Sequence, residues 1–479
     1  ELLGWDMISF FCMLVLAVFI HTISPNKYVG YFGFVALVIV NAFFWGWLEV
    51  ESNLVRFARL PSHIYSDMFR WSPYTTSMKW FGIYWLSVSG MLIILTTLLW
   101  QRGTDARWGY RIREAGARWI GGFRMGSILL FVCWLVLGGW IGYNTLVINT
   151  WKTDKQTKLL QVKYEQQFKK HELLAQPRVV DIKYKIDLYP ESQGMILRGT
   201  EVLQNRTENN IDRLFFNTAD AFDTKLEVPN AVLEDEYADL NYFVYQLQTP
   251  LGPGETMQIE YEVKRELVGF KNQPSTDGIV TNGTFFNNQI VPQLGYQSAQ
   301  EISDKRERRD RGLEPKPVMP DLQPDDLSRR SNNYISNSSD WVMVESIIST
   351  SLDQIAVGPG SLVNTWEESG RRYFHYKLDH PSLNFYSFVS ARYEVERREW
   401  NGVDIEVYFH PEHRWNVDNM LRAIRDSLEY YTKHFGPYLH RQARIIEFPR
   451  VASFAQAFPG TMPYSEGIGF IANLKSKDD

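Results

Sequence analysis

A single acidic residue near the end of the sequence, Glu466, is surrounded by residues that favour an irregular backbone. It lies in the stretch PGTMPYSEGIGF, which opens on the turn pair Pro459-Gly460 and continues with two glycines after the acid. A carboxylate fixed in such a loop pairs well with an ammonium group, because charge-assisted hydrogen bonds contribute about 1.5–3 kcal/mol. We predict that Glu466, together with Ser465 and Tyr464, binds a ligand. The alternative is an ordinary surface loop that binds nothing, which is the simpler interpretation when these twelve residues are considered alone.

The nine histidines form no recognisable metal-binding motif. None belongs to His-Glu-x-x-His, which places two imidazoles one helical turn apart with a catalytic glutamate between them. The closest pair, His410 and His413 in HPEH, follows a strand pattern and encloses a proline, which is typical of an exposed turn. The sequence also lacks a glycine-rich phosphate loop and a Gly-x-Ser-x-Gly motif. We therefore predict no catalytic residue and no metal ligand within these residues.

The composition excludes several classes of protein. The formal net charge of −5 over 479 residues is too mild to indicate nucleic acid as a partner. The two cysteines, Cys12 and Cys133, lie inside apolar runs and can form neither a disulfide framework nor a thiolate metal site. Aromatic residues make up 15% of the chain and include 16 tryptophans, as expected where indole rings anchor at a membrane interface.

Four apolar segments near the start are each long enough to cross a bilayer, which takes about 20 residues. They span 7–23, 28–48, 80–100 and 125–147, so we predict a transmembrane region over 1–149. Buried helices of a soluble protein are the alternative, but four such runs in so short a stretch argue against it. The segment 101–124 carries six arginines against two acids, which marks it as cytoplasmic and places 150–479 on the far side. In a bacterium with two membranes, that side of the inner membrane is the periplasm.

The pattern after residue 150 changes from helix to strand. A polar juxtamembrane helix is predicted over 150–176, with a solvated stalk as its simplest role. Over 177–400 the apolar residues alternate with period two, which indicates a β-rich sandwich or saddle. Within it, the mixed charges of 304–330 favour a solvated loop over a basic binding surface.

The final segment, 401–479, begins an α/β unit. The strand VDIEVYFH is followed by an amphipathic helix and a second strand, ARIIEFPR. Asn416 is the predicted N-cap of the helix and Gly436 its end. Its predicted buried stripe is Val417, Leu421, Ile424, Leu428 and Tyr431.

Several of these segments occur in an order typical of a known family. They are YKIDLYPESQGMILRGTEVLQNRTENNIDRLFFN, LGPGETMQIEYEV, SFVSARYEVERREWNGVDIEVYFHP and RIIEFPRVASFAQAFPGTMPYSEGIGF. Over nearly all of 150–479 the sequence resembles the N-terminal portion of gluzincin aminopeptidases, the alanyl-aminopeptidase family. With the apolar segments and the loop RLPSHIYSDMFRWSPY upstream, it resembles bacterial fusions of an ABC-type permease with such a peptidase.

The family's exopeptidase motif, Gly-x-Met-Glu-Asn, aligns with PYSEGIGF. Glu466 falls on the motif glutamate, so the resemblance implies that Glu466 holds the substrate's ammonium group, with Ser465 and Tyr464 beside it in the substrate site. Pro463, Ser465 and Gly467 stand where the family has glycine, methionine and asparagine, so the asparagine's role does not transfer. The resemblance also implies a further amine-contacting amide within 282–297.

The resemblance implies zinc as the cofactor. In the family, His-Glu-x-x-His follows the exopeptidase motif by some tens of residues, and this sequence ends at Asp479 before it. We therefore expect a fragment that is inactive alone, with zinc ligands beyond residue 479. The expected fold is mixed: four transmembrane helices, a β-rich domain, and the beginning of a thermolysin-like α/β catalytic domain.

The implied function of the complete protein is that of a membrane-anchored zinc metallo-aminopeptidase fused to a permease-like module. It would remove N-terminal residues from peptides outside the inner membrane, with the membrane and an ABC-type ATPase subunit as further partners. The alternative is a transporter subunit whose extracytoplasmic domain is a non-catalytic, peptidase-like binding domain. A third interpretation, an adhesion-type β-sandwich on a membrane anchor, explains the strands but not the α/β unit.

The arginine-rich segment generates a topology prediction. Alkaline phosphatase fused after Asn149 should be active, because 150–479 is expected outside and this reporter matures only in an oxidising compartment. A fusion within 101–124 should be inactive and serves as the matched control. Inactive fusions after Asn149 would show that the orientation is reversed.

Overall fold

The computed structural model describes residues 4–102, 107–316, 325 and 340–472. The α-helices in these ranges are α1 (Asp6–Ile23), α2 (Lys27–Trp47), α3 (Thr75–Leu99), α4 (Trp108–Arg118), α5 (Gly121–Gly142), α6 (Asp154–Phe168), α7 (Lys305–Asp310), α8 (Val417–Phe435) and α9 (Glu466–Gly469). Helices α1, α2, α3 and α5 are long and apolar enough to cross a membrane, and α5 continues as a π-helical turn to Ile148. The four predicted apolar helices are confirmed, whereas their insertion in a membrane stays a prediction.

Helix α4 lies inside 101–124, where the sequence predicts only a loop. Its buried Arg111 donates hydrogen bonds to the carbonyl oxygens of Thr22, at 2.6 Å, and Leu99, at 2.5 Å. These carbonyls belong to the last turns of α1 and α3, where backbone oxygens lack helical partners and carry partial negative charge. One of the six arginines is therefore a structural cap rather than a free surface charge.

Nineteen β-strands occur among the described residues. They are β1 (Arg178–Tyr189), β2 (Gly194–Gln204), β3 (Ile211–Asn217), β4 (Asp223–Glu227), β5 (Ala231–Tyr237), β6 (Tyr242–Leu251), β7 (Thr256–Arg265), β8 (Thr284–Asn287), β9 (Gln293–Leu294), β10 (Trp341–Ser351), β11 (Ile355–Val357), β12 (Ser361–Glu368), β13 (Arg371–Lys377), β14 (Ser382–Leu383), β15 (Ser387–Ala391), β16 (Glu394–Trp400), β17 (Val403–Phe409), β18 (Gln442–Phe448) and β19 (Thr461–Ser465).

The largest sheet confirms the β-rich region that the alternating pattern predicts. Its strands run in the order β12-β13-β10-β1-β2-β7-β4, with β14 paired to β10. Strand β1 is typical, since Ile182, Tyr184, Ile186 and Leu188 all point into one apolar core. Two smaller sheets, β5-β6-β3-β9 and β11-β15-β8, contribute to the same region.

Helix α6 packs against this region, so the solvated stalk predicted for it is wrong, whereas α7 is mostly exposed, as predicted, but is helical and attached to α6 by one buried residue. Tyr164 and Phe168 of α6 are buried in an aromatic cluster with Tyr242. Arg308 of α7 is buried and binds both oxygens of Glu165, at 2.6 and 2.8 Å. The remainder of 304–330 from residue 317 lies, apart from residue 325, outside the described residues.

The last sheet, β16-β17-β18-β19, has the α/β character predicted for 401–479. Strands β17, β18 and β19 are parallel, and α8 connects β17 to β18. Four residues of the predicted stripe are buried and one, Tyr431, is exposed. The helix ends before Gly436, whose φ of 111° suits glycine. Asn416 occupies the predicted N-cap position, but its side chain makes no capping hydrogen bond and donates instead to the carbonyl oxygens of Gly469 and Ala472.

The described chain divides into two compact units. Unit 1 contains 1–65, 71–155 and 268–275, and unit 2 contains 66–70, 156–267 and 276–479. Residues 66–70 thus belong to unit 2 although the sequence on both sides of them belongs to unit 1, and residues 268–275 belong to unit 1 although both of their flanks belong to unit 2. In unit 1, Asn53 and Asn272 form a reciprocal pair of hydrogen bonds, at 2.9 and 2.8 Å.

Within unit 2, Arg444 of β18 fastens the α/β sheet to the turn before β12. The side chain is buried, and its Nη2 donates to the carbonyl oxygens of Gly358 and Gly360 and to the hydroxyl of Thr461 on β19. Gly360 has a φ of 88°, and a Cβ there would overlap the backbone of Lys377. Only glycine fits this position.

We expect Gly360→Ala to lower the free energy of unfolding of unit 2 by about 3 kcal/mol or more, from left-handed strain plus overpacking. Gly370→Ala is the matched control, because Gly370 has a φ of 73° but no atom near its Cβ position. The control should lose only about 1–2 kcal/mol. Denaturant unfolding of the detergent-solubilised chain measures both, and equal losses would contradict the overlap at Gly360.

Candidate functional site

The site forms where three parallel strands end. Because the carboxyl ends of parallel strands meet at one edge of a sheet, residues that follow them come together. His413 lies in the turn after β17, Glu447 is the penultimate residue of β18, and Glu466 directly follows β19. The register pairs Glu447 with Tyr464 and Phe448 with Ser465. Ligand atoms of His413, Glu447 and Glu466 lie within 4.8 Å of one another, and all three residues are buried.

Glu466 is the first residue of α9 and has no solvent-exposed surface. Its Oε1 accepts a hydrogen bond from the backbone N–H of Arg450, at 3.0 Å. Its Oε2 is buried and has no hydrogen-bond partner of normal geometry among the described residues. The position of α9 is fixed by Asn416, whose Nδ2 donates to the carbonyl oxygens of Gly469 and Ala472, each at 2.6 Å. One oxygen of the Glu466 carboxylate is thus fixed by a backbone hydrogen bond, and the other, called the open oxygen below, has no hydrogen-bond partner among the described residues.

The imidazole of His413 lies between two carboxylates. Its Nδ1 is 2.5 Å from Oε1 of Glu447, and its Nε2 is 3.3 Å from Oδ2 of Asp67. The second oxygen of Glu447 accepts from the backbone N–H of His410, at 2.5 Å. With an acceptor at each ring nitrogen, the geometry favours the doubly protonated imidazolium. Asp67 precedes α3 in the sequence and belongs to unit 2.

Burial and mutual charge shift the pKa values of these groups. Burial raises the pKa of Glu447 to about 7, against the opposing effect of His413. Burial also raises the pKa of Glu466, although the Arg450 N–H and the Ser66 hydroxyl lower it in part. Burial lowers the pKa of His413, but Glu447, Asp67 and Glu466 outweigh this and the net pKa is raised.

The charges of the cluster do not balance. When ionised, the buried Glu447 and Glu466 contribute two negative charges and His413 one positive charge, which leaves one buried negative charge, and the partly exposed Asp67 adds a second. Buried charge without a partner is costly, so either a proton or a cation must compensate it. The cluster is therefore suited to bind a positively charged group at the open oxygen of Glu466.

The residues of the cluster do not fit the zinc that the resemblance implies. Two ligands of one tetrahedral zinc, each about 2.0–2.2 Å from the metal, lie roughly 3.3 Å apart. The 2.5 Å between His413 Nδ1 and Glu447 Oε1 is instead a hydrogen bond, and the other ring nitrogen faces Asp67. The donor groups point at one another rather than at a common centre.

The other predicted site residues have mixed surroundings. Ser465 is buried, and its hydroxyl accepts from the N–H of Gly467 as the N-cap of α9. Tyr464 packs against Phe470 in the apolar core beneath α8, with no described polar contact to Glu466. Ligand contact by these two residues stays a prediction. Within 282–297, Asn282 is occupied by backbone bonds to Met68 and Arg392.

Three residues of the cluster were not predicted from the sequence. Glu447 is an acid inside a strand whose residues are all buried, which is a signal for a functional or paired group. The HPEH motif indicated His413, but its proline favoured an exposed turn. Asp67 carries no local signal, because it joins the cluster only through the tertiary structure.

Comparisons with known proteins give only distant structural likenesses. No family model matches the sequence, and no curated protein matches it. Among solved structures, the chain is similar to a variant of an M1 zinc metallopeptidase from Deinococcus radiodurans, with 12% sequence identity and a TM-score of 0.41. The match covers 62% of this chain and 62% of that chain. At this level the likeness assigns neither an activity nor a metal to the chain.

The raised pKa of Glu447 generates a pH prediction. The folded state holds a proton on Glu447 up to about pH 7, whereas the unfolded chain releases it near 4.5. The contribution of this group to the free energy of unfolding is therefore complete below pH 4.5 and is lost as pH rises through 7. The loss amounts to at most about 3 kcal/mol. The melting temperature of wild type should therefore fall more steeply from pH 5 to 8 than that of Glu447→Gln. Glu412→Gln, at an exposed neighbour, should follow wild type, and parallel curves for all three would contradict the shift.

Proposed function

We propose that this chain is part of a membrane-anchored metallo-aminopeptidase and that Glu466 receives the α-ammonium group of a peptide substrate. The observation that carries the proposal is the buried Glu466 carboxylate, with Oε1 fixed by the Arg450 N–H and Oε2 open. An ammonium group offers three donors and one positive charge, which matches both the open oxygen and the excess negative charge of the cluster.

The role of this chain in the proposed reaction is to bind and orient the peptide's amino terminus. Fixing that end places the first peptide bond at a constant distance from the anchor, which is how an exopeptidase excludes internal bonds. Zinc ligands in the His-Glu-x-x-His pattern do not occur in these 479 residues, so we place the metal of the proposed enzyme on residues outside this sequence.

The membrane part of the proposal rests on sequence. The four apolar helices would cross the bacterial inner membrane, with 150–479 in the periplasm, where peptides would be the substrates. A permease-like role for this region, with an ABC-type ATPase subunit as partner, follows only from the resemblance of the upstream segment.

The test of Glu466 compares peptides with free and acetylated amino termini in the complete protein. Glu466→Ala should lower kcat/KM for free-amine peptides about 30- to several-thousand-fold, because losing one partner of a desolvated charged contact costs roughly 2–5 kcal/mol. Glu466→Gln, which keeps the shape and one acceptor oxygen, should fall between. Acetylated peptides should be poor substrates of every variant, since they lack the charge.

The matched control is Glu429→Ala, at an exposed acid on α8, which should leave both peptides at wild-type rates. Cleavage of free-amine peptides by Glu466→Ala at the wild-type rate would show that Glu466 is a structural carboxylate and that the aminopeptidase proposal is wrong.

A second function, peptide binding without cleavage in a transporter subunit, is favoured by one observation. Pro463, Ser465 and Gly467 stand where the family's exopeptidase motif has glycine, methionine and asparagine, a departure that suits a domain that binds without cleaving. In that case Glu466→Ala would weaken the binding of free-amine peptides, measured by calorimetry, while the complete wild-type protein would hydrolyse none of them.

A further inference from the structure

A five-residue segment from the loop between α2 and α3 forms one wall of the site. Ser66–Arg70 is the part of that loop that belongs to unit 2. It closes on itself through backbone hydrogen bonds between Ser66 and Arg70, at 2.6 and 3.3 Å. Ser66, Met68 and Phe69 are buried, whereas Asp67 is partly exposed.

The segment Ser66–Arg70 contacts the rest of unit 2 in two ways, and the first contact, at Met68, is apolar. Met68 is part of the main apolar core of unit 2, and its carbonyl oxygen accepts a hydrogen bond from Nδ2 of Asn282, at 2.8 Å. The Oδ1 of Asn282 in turn accepts from the N–H of Arg392, at 2.7 Å. These contacts give the segment a defined closed position.

The second contact of the segment, made by Ser66 and Asp67, is polar and faces the site. The Ser66 hydroxyl lies beside the carboxylate of Glu466, where it lowers the pKa of that group. Asp67 binds Nε2 of His413, at 3.3 Å, and 37% of its side chain is exposed. In this arrangement a peptide has no path to Oε2 of Glu466, because the carboxylate has no exposed surface.

We propose that Ser66–Arg70 is a cover over the amine site, and that the contact of Asp67 with His413 is the polar contact that helps to hold it closed. This inference rests on the proposed function and adds its access control. The segment must withdraw before a peptide ammonium reaches Glu466. The apparent affinity for peptide is therefore the intrinsic affinity multiplied by the fraction of molecules in which the cover is open.

The test uses the complete protein, a short alanine peptide and its N-acetylated counterpart. Asp67→Asn removes the charge that binds His413 and should raise the fraction of molecules with the segment open about 1.5- to 5-fold, as expected for loss of one partly exposed ion pair. Because the same change removes a negative charge from the site, KM is not the readout. Hydrogen exchange of the amides of residues 66–70 should speed up by a similar factor. In wild type, saturating free-amine peptide should speed the same amides, and acetylated peptide should not.

The matched control is Glu165→Gln, which disrupts the buried pair with Arg308 and touches no residue of the cover. Hydrogen exchange at 66–70 should be the same in Glu165→Gln as in wild type. Faster exchange in both Glu165→Gln and Asp67→Asn would indicate general loosening of unit 2 and would overturn the proposal. Wild-type exchange at 66–70 in Asp67→Asn would also overturn it, as would slower exchange at 66–70 when peptide binds.

The two proposals fail separately. If Glu466→Gln abolishes the preference for free amines while Asp67→Asn changes nothing, only the cover is wrong. If Glu466→Ala behaves as wild type, the amine site is wrong, and the exchange of 66–70 in Asp67→Asn without peptide still decides whether Asp67 helps to hold the segment closed.

Discussion

The contact of His413 with Glu447 on one side and Asp67 on the other organises the candidate site. A buried carboxylate is costly without a partner, and the imidazole supplies one proton donor to each of two acids. The third acid, Glu466, lies beside this pair and has one oxygen, Oε2, without a hydrogen-bond partner among the described residues. The proposal of a cationic ligand rests on this excess of acids over one imidazole.

The surrounding structure serves to keep these groups in position. Parallel pairing of β17, β18 and β19 brings their carboxyl ends to one edge, and Arg444 fastens that sheet to the β-rich region. Asn416 holds α9 through two carbonyl oxygens instead of capping its own helix. Side chains that satisfy several backbone acceptors at once fix irregular segments that no sheet or helix would hold.

The division of the chain into two units is not a simple cut along the sequence. Residues 66–70 belong to the β-rich unit, and 268–275 belong to the helical one. The site therefore includes a residue, Asp67, from between two apolar helices that are otherwise part of the other unit.

The sequence by itself determined the elements whose signal is local and strong. Long apolar runs predicted α1, α2, α3 and α5, alternation predicted the strands of the large sheet, and the amphipathic pattern predicted α8 with its end at Gly436. It also singled out Glu466, because glycine and proline around one acid are visible without any partner. These features depend on hydrophobic periodicity and backbone preferences, which act over a few residues.

Only the tertiary structure decided which residues meet. The short polar helix α4 was missed because its stability comes from Arg111 capping two other helices, and α6 and α7 were placed in solvent because their partners are distant in sequence. Asp67 and His413 are 346 residues apart, and no local pattern marks their contact. Charge pairing and burial depend on long-range packing, so the sequence indicated the carboxylate while the fold supplied its surroundings.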